Sequence, residues 1–284
     1  MRLHFLIFGQ AGGKVRRGCH GTIPGTRPQS STGEIFLIIS AILGITLAGA
    51  VLQRVSGMGF ALVAGPVLML ILGPVDGIIL VNLLAAVNAA LTTAVVRRDI
   101  EWGKFAFMAP FLLVGSVPAA IMVARFDSSW LLILVGLMLL SALVAATLSS
   151  RRMAPVAGKI PMVIAGVTGG FGNTLAGAAG PPVAIYAQAS RWNPLAFRAT
   201  LQPILAVSGA ISVVVKLAMG AGSLDQTTPL LWVASFGGMV LGIIVGTRLA
   251  GKASQALAHK LSMSVTAAGA LAAIVRGVVS LVNT

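Results

Sequence analysis

Apolar runs of about 20 residues recur along this chain, and that length is what an α-helix needs to cross the hydrocarbon layer of a bilayer. The long runs cover residues 35–53, 77–96, 105–124, 130–148, 199–215, 229–247 and 261–282. Shorter apolar runs cover residues 59–72, 160–171 and 182–189. Backbone polar groups find no water in hydrocarbon, and helices satisfy these groups internally. The runs therefore predict an all-α polytopic membrane protein.

The composition supports the membrane class and indicates the partners. Of the 284 residues, 57% are hydrophobic and only 9% are charged, and the net charge is +14. Most cations lie in the N-terminal tail or in short loops between apolar spans. Membrane topology and anionic lipid headgroups therefore explain them better than nucleic acid does. The single cysteine, Cys19, favours neither a disulfide nor a metal site.

The first 33 residues contain five Lys or Arg residues and no acid. Their apolar core, residues 3–8, is too short for a secretory signal peptide. We predict a basic, disordered N-terminal tail over residues 1–33, with an organelle transit segment as the alternative.

An internal repeat becomes visible when the sequence is shifted by 120 residues. The segment QRVSGMGF then overlies NTLAGAAG, so that Gln53 meets Asn173 and Gly57 meets Gly177. We predict two homologous repeats, residues 34–150 and 160–284, joined by a basic cytoplasmic linker over residues 151–159. Each repeat would comprise a broken, re-entrant helical hairpin followed by three transmembrane helices.

The orientation of the two repeats depends on how the broken hairpins enter the membrane. If each hairpin enters and leaves by the same side, each repeat crosses an odd number of times and the repeats are inverted, a known transporter plan. The basic loops, residues 97–104, 151–159, 191–198 and 248–260, would be cytoplasmic. This path leaves the N-terminal tail outside. If the first segment crosses fully instead, the tail is inside and strict inversion is lost.

The broken segments predict an interior site, because irregular backbone at membrane depth is tolerated only when protein buries it or it lines a watery cavity. Pro181 and Pro182 suit the first turn of a helix, whose positive end would face Gly177 and Gly180 and favour an anion. The predicted substrate-binding residues are Gln53, Arg54, Ser56, Gly57, Asn82, Asn173, Thr174, Gly177, Gly180 and Gln202.

Each of these assignments has a structural alternative. Arg54 has a long side chain that could reach the nearer membrane surface. The glycines could allow close helix packing, and Asn82 could form an interhelical hydrogen bond. Enzymatic chemistry is not expected, because the histidines and acids lie in the tail, in loops or at the ends of spans. No metal or other cofactor is predicted.

The two glycine-rich segments, GAVLQRVSGMGFALVAGPVLML and GGFGNTLAGAAGPPVAIYAQ, resemble those of the TauE/SafE family of sulfite-exporter-like membrane proteins. Members of that family typically have a G-x-x-G-x-G-G-P-like run in the second segment, which Gly177, Gly180 and Pro181 match in part. The resemblance extends over residues 35–282. It implies a multi-pass protein of the bacterial inner membrane that transports small anions such as sulfite, thiosulfate or sulfoacetate-like sulfonates, and in some members other organic acids.

The resulting hypothesis is a secondary anion carrier that works by alternating access. A non-transporting membrane scaffold or assembly protein, an organic-acid carrier of the same fold and an anion channel are the alternatives. The sequence specifies no oligomeric state.

Overall fold

The computed structural model describes residues 32–56, 59–148, 156, 158–222, 228–250 and 252–283. These residues form ten α-helices and contain no β-strand. The helices are α1 Thr32–Ser56, α2 Phe60–Leu72, α3 Pro74–Val96, α4 Trp102–Arg125, α5 Ser128–Leu148, α6 Lys159–Ala176, α7 Gly180–Ala189, α8 Pro194–Ala218, α9 Pro229–Leu249 and α10 Gln255–Val282. Among the described residues, seven helices are long and apolar enough to cross a membrane: α1, α3, α4, α5, α8, α9 and α10. The predicted all-α, multi-pass membrane architecture is therefore confirmed.

The order and boundaries of the helices repeat along the chain. α1 ends at residue 56 and α6 at residue 176, α2 begins at 60 and α7 at 180, and α3 begins at 74 and α8 at 194. Each of these pairs is separated by the 120 residues found in the sequence comparison. The next two helices follow at an offset of 127 residues, because α4 and α9 begin at 102 and 229 and α5 and α10 at 128 and 255. The break between a long and a short helix thus occurs at the same place in each half.

Each short helix folds back against the long helix before it. A Cβ atom added to Gly49 of α1 would lie 3.3 Å from the ring of Phe60 and 3.4 Å from Ala64, both in α2. In the second half, a Cβ atom on Gly169 would lie 3.4 Å from Val183 of α7. α2 has 13 residues and α7 has 10, which correspond to lengths of about 20 Å and about 15 Å. Neither is long enough to cross a hydrocarbon layer of about 30 Å.

Glycines bring the long helices into backbone contact. Gly238, Gly242 and Gly246 recur every fourth residue on α9, and this face packs against α1. A Cβ atom on Gly242 would lie 2.8 Å from Ala50, and one on Gly246 would lie 2.9 Å from the Cβ of Arg54. Small residues at this spacing are typical of closely packed membrane helices. The residue numbers of the contacting positions increase in the same direction along both helices, so α1 and α9 run parallel.

The pair α6 and α4 has the same arrangement as α1 and α9. Gly166 of α6 lies against Phe111, and Gly170 lies against Leu112, so these helices also run parallel. α3 and α8 form an antiparallel pair in which a Cβ atom on Gly209 would lie 2.8 Å from the carbonyl oxygen of Asn82. These pairings surround the two breaks with long helices.

Helix α10 supplies hydrogen-bond donors that the short helix α2 needs. Pro66 lies inside α2 and has no N–H group, so the carbonyl oxygen of Leu62, four residues earlier, loses its helical partner. The hydroxyl of Thr266 in α10 donates to that oxygen at 2.7 Å. Near the end of α2, the guanidinium of Arg276 donates to the carbonyl oxygen of Leu70. These contacts stabilise the short arm of the first hairpin.

Two of the predicted basic loops meet at one end of the bundle. The backbone N–H of Glu101, just before α4, donates to the hydroxyl of Thr200 at 2.9 Å. The indole N–H of Trp192, just before α8, donates to the Glu101 carboxylate at 2.7 Å. Lys104 contacts the same carboxylate at 2.8 Å and lies over the Trp192 ring. The hydrogen bond from Lys104 holds the pKa of Glu101 below its ordinary value, against a smaller opposing effect of partial burial.

Candidate functional site

The second break is a left-handed glycine followed by a proline-led helix. Gly177 has φ +68° and ψ 22°, a conformation that other L-residues adopt only at a steric cost. Its N–H donates to the carbonyl oxygen of Asn173 at 2.8 Å, and the N–H of Ala178 donates to that of Gly172 at 3.1 Å. Helix α7 then begins at Gly180 with proline in its first turn. The prediction that the double proline starts a new helix is confirmed.

The first break has a simpler geometry at its described end. Gly59 is extended, with φ −61° and ψ 138°, and its carbonyl oxygen accepts from the N–H of Leu62 at 3.1 Å. Gly57, one of the predicted binding residues, lies outside the described residues together with Met58. Its assignment stays a prediction.

The two breaks face each other across a cavity of about 40 Å³. The first break contributes Gln53 and Gly59 to its lining, and the second contributes Asn173, Gly177 and Gly180. On the criterion of about 10–15 Å³ per water, this cavity holds roughly three waters or one small ion. The remaining lining residues include Ala85, Ala89, Leu205 and Gly209, which lie near the middle of α3 and α8. We call this space the central cavity.

A second cavity adjoins the central cavity and is lined in part by Arg54, the positively charged member of the predicted binding residues. Its volume is about 110 Å³, and it shares Gln53 and Gly59 with the central cavity. Its lining continues to Arg54 and Gln202, and to Thr92 near the end of α3. This space, which we call the side cavity, therefore leads from the breaks toward the end of the bundle where α3 ends and α8 begins.

Buried polar atoms without a hydrogen-bond partner among the described residues concentrate around these two cavities. Seven of the eight such atoms are Arg54 Nε, Asn82 Oδ1, Asn88 Oδ1, Asn173 Nδ2, Thr174 Oγ1, Gln202 Oε1 and Ser208 Oγ. About nine in ten buried polar groups in proteins are hydrogen-bonded, so such a cluster needs an explanation. Each of these atoms belongs to a residue that lines a cavity or neighbours one that does. The arrangement can offer both hydrogen-bond donors and hydrogen-bond acceptors to a small polar ligand.

The structure does not bring all the predicted residues to the cavities. Asn82 is fully buried, and its side-chain amide donates to the Asn173 carbonyl oxygen at 3.1 Å and to the Ser212 hydroxyl at 2.8 Å. It thus links α3 to α6 and α8. The hydroxyl of Ser56 donates to the Leu52 carbonyl oxygen, and Thr174 is fully buried next to Asn173. Asn82, Ser56 and Thr174 line neither cavity.

Gln53 is held in place at the central cavity by a neighbour on α3. The amide group of Asn88 donates to the side-chain oxygen of Gln53. Asn88 is 1% exposed. The sequence repeat pairs Asn88 with Ser208, and Ser208 is the residue before Gly209 of the central cavity. The amide nitrogen of Asn173 and the hydroxyl of Ser208 have no such partner among the described residues.

Lys216, a cation in the last turn of α8, is a buried residue that the sequence did not predict. It is fully buried, and its ammonium has no hydrogen-bond partner in the part of the chain that the structure describes. The only sequence signal was a single lysine immediately after the apolar run 199–215, which is also the pattern of a surface-directed lysine at a helix end. Among the described residues, no group of three His, Cys, Asp or Glu side chains could hold a metal ion.

Comparison with known proteins connects this architecture to a family. A family model described as "Sulfite exporter TauE/SafE" matches residues 41–273, a range that includes both breaks and parts of all ten helices. Comparisons with curated proteins and with solved structures give no significant match. The match confirms the resemblance seen in the glycine-rich segments. Because it covers most of the chain, the protein belongs to the TauE/SafE sulfite exporter family, whose members are membrane transporters rather than enzymes.

Proposed function

We propose that this protein is a secondary transporter of small sulfur-containing oxyanions, such as sulfite, thiosulfate or organosulfonates, and that the anion binds in the central cavity. The observation that carries this proposal is that two helix starts meet at a cavity whose surroundings hold buried polar atoms without a hydrogen-bond partner among the described residues. The positive ends of the helix dipoles favour negative charge at such a point. Side chains with donors that have no partner among the described residues, such as the amide nitrogen of Asn173, can replace part of the hydration that the anion loses.

The two helix starts contribute different numbers of amide donors. Phe60 and Ala61, in the first turn of α2, each carry an N–H group and line the central cavity. Pro181 and Pro182 carry none, so Gly180 and the dipole of α7 provide most of the second contribution. The amide nitrogen of Asn173 adds a further donor. We assign the direct contacts to the α2 amides, Gly180 and Asn173.

Arg54 and Gln202 would receive the anion in the side cavity. A guanidinium within a membrane segment is costly unless it is paired or wetted. Arg54 lines the side cavity, and its Nε atom is buried without a partner in the described chain. An anion that enters from this end would compensate that charge before it reaches the central cavity. Ser56, Asn82 and Thr174 would support the site from behind, with Asn82 keeping α6 and α8 in register.

We further propose that the two halves are inverted repeats that give alternating access. α4, α6 and α8 begin at the end of the bundle where Glu101 meets Trp192, because α6 runs parallel to α4. α9 follows α8 and begins at the opposite end, and α1 runs parallel to α9. The hairpins α1–α2 and α6–α7 therefore enter from opposite ends, as inversion requires.

The depth of the breaks fits the same proposal. Only Gly73 separates α2 from α3, so the first break lies about 20 Å along α2 from the end of the bundle where α3 begins. The second break lies about 15 Å along α7 from the opposite end. The loops before α4 and α8 carry arginine residues. These cations favour a cytoplasmic location for the end of the bundle where α4 and α8 begin. The bacterial inner membrane, with its anionic headgroups, is the expected environment.

The experiment is uptake of radiolabelled sulfite by purified protein in proteoliposomes. We expect saturable uptake that is stimulated by unlabelled sulfite on the opposite side and inhibited by thiosulfate or a sulfonate, whereas sodium and potassium fluxes stay at the level of empty vesicles. A channel would show flux without this exchange, and an organic-acid carrier would prefer malonate or acetate. A scaffold protein would show no flux, and that result would refute the proposal.

A further inference from the structure

Lys216 is a buried cation that the proposed site does not use. It lies two residues before the end of α8, is fully buried, and its ammonium has no hydrogen-bond partner among the described residues. A buried ammonium without a partner is strongly disfavoured, because it loses its hydration and gains nothing in return. Within a membrane protein such residues are rare and mark ion or substrate pathways.

A purely structural role for Lys216 would use the carbonyl groups at the end of α8. A lysine in the last turn of a helix is favourable when its ammonium bonds those free carbonyl oxygens. The carbonyl oxygen of Lys216 itself instead accepts from the N–H of Ala221 at 2.9 Å, and that of Val215 accepts from Met219 at 3.1 Å. The ammonium bonds to none of them. The cap is therefore provided by the backbone, and the Lys216 ammonium has no hydrogen-bond partner in the part of the chain that the structure describes.

A row of polar residues on α8 extends from Ser208, which is next to Gly209 of the central cavity, to Lys216. Ser208, Ser212 and Lys216 are four residues apart, so they lie on one face of the helix, and all three are fully buried. The Ser212 hydroxyl accepts from Asn82, which also holds the Asn173 carbonyl beside the cavity. From Ser208 to Lys216 the helix rises about 12 Å.

We propose that Lys216 is a second anion-binding position on the transport path, on the side of the central cavity opposite Arg54. Arg54 lies with Gln202 near the start of α8, and Lys216 lies near its end. The anion would pass from one cation to the central cavity and then to the other cation, with Ser208 and Ser212 as hydroxyl contacts between them. The ligand class is the small oxyanion of the proposed function, on which this assignment rests.

The test compares Lys216→Met with Lys216→Arg in the sulfite exchange assay. Removing a hydrogen bond to a charged group should raise the KM for sulfite about tenfold or more in Lys216→Met. Lys216→Arg, which keeps the charge, should restore the KM to within about threefold of the wild type. Lys252→Met removes an exposed loop lysine and serves as the matched control, with an unchanged KM.

Thermal stability separates this assignment from a structural role. Replacing a buried lysine whose ammonium has no partner among the described residues by an apolar side chain of similar length should raise the Tm in the absence of anion. It should also reduce the increase in Tm that sulfite causes in the wild type. A raised Tm with a raised KM supports the assignment, whereas a lowered Tm with an unchanged KM assigns Lys216 to folding and overturns it. If the wild type shows neither sulfite exchange nor stabilisation by any oxyanion, the proposed function fails as well.

Discussion

Gly180 allows a direct test of the central cavity, because a side chain added there meets open space. Apart from its own helix and chain neighbours, no atom of the described residues lies within 4 Å of a Cβ atom placed on Gly180. Gly180 is in the first turn of α7 and lines the central cavity. Because glycine in a helix is about 0.5–1 kcal/mol less favourable than alanine, Gly180→Ala should stabilise the fold by up to that amount. The same methyl group would occupy part of the cavity in which we propose that the anion binds.

The size of the cavity sets the expected effect of a larger side chain. A volume of about 40 Å³ has room for roughly three waters, and the four carbon atoms of a leucine side chain would fill it. Inserting extra groups into an occupied site typically costs about 1–3 kcal/mol. If the larger side chain destabilises only the sulfite-bound state by this amount, the affinity for sulfite decreases about 5- to 150-fold. Gly180→Ala should have a smaller effect in the same direction.

The assay measures sulfite exchange and the Tm of the same purified variants. Gly44→Leu is the matched control, because Gly44 is an exposed helical glycine in α1 with no atom within 4 Å of an added Cβ. It should leave exchange unchanged. Gly177→Ala provides the contrast, because its positive φ and an Ala61 contact of 3.1 Å predict a loss of stability of about 1–2 kcal/mol. Wild-type exchange by Gly180→Leu at a normal Tm would show that the anion does not bind in the central cavity.

Three further substitutions test other parts of the structure. Arg54→Gln should raise the KM for sulfite about tenfold, with partial recovery in Arg54→Lys, because a charge-assisted contact contributes about 1.5–3 kcal/mol; an unchanged KM would favour an arginine that only reaches the membrane surface. Thr266→Val leaves the Leu62 carbonyl oxygen without its donor and should destabilise the protein in chemical denaturation by about 1–3 kcal/mol. Thr247→Val, where the hydroxyl bonds its own helix on an exposed face, should cost little by comparison. The lowered pKa of Glu101 means that its loop contact stabilises the fold at neutral pH and is lost as the pH falls through that lowered pKa. Glu101→Gln should therefore lower the Tm at pH 7, and the two Tm curves should converge as the pH falls below the lowered pKa of Glu101; curves that stay parallel would contradict this.

The sequence predicted the helix breaks well because their causes are local. The double proline at residues 181 and 182 can start a helix but cannot continue one, and α7 begins at Gly180. The 120-residue repeat predicts a helix start at the equivalent position of the first half, and α2 begins there at Phe60. The offset of 127 residues for the last helices could not be found in this way. An ungapped shift does not detect that α8 is two residues longer than α3 and that the connection before α9 is five residues longer than the one before α4.

The site was only partly predictable, because tertiary packing decides which polar residues reach a cavity. Repeat symmetry places Asn82 over Gln202, yet Gln202 lines the side cavity whereas Asn82 bonds across three helices. A one-dimensional pattern does not distinguish these outcomes. The burial of Lys216 was likewise missed, because a lysine at the end of an apolar run has the same local signature whether it is exposed or enclosed.

The packing also determines which parts could move together if the carrier alternates access as proposed. The glycine contacts join α1 of the first half to α9 of the second, and α6 of the second half to α4 of the first. Two helices whose backbones lie this close have little freedom to slide along each other, because packed interiors resist continuous deformation. Each hairpin should therefore move with the long helix that comes from the other half of the sequence. The moving units are then not residues 34–150 and 160–284, but two mixed units that meet at the central cavity, where each contributes one helix break.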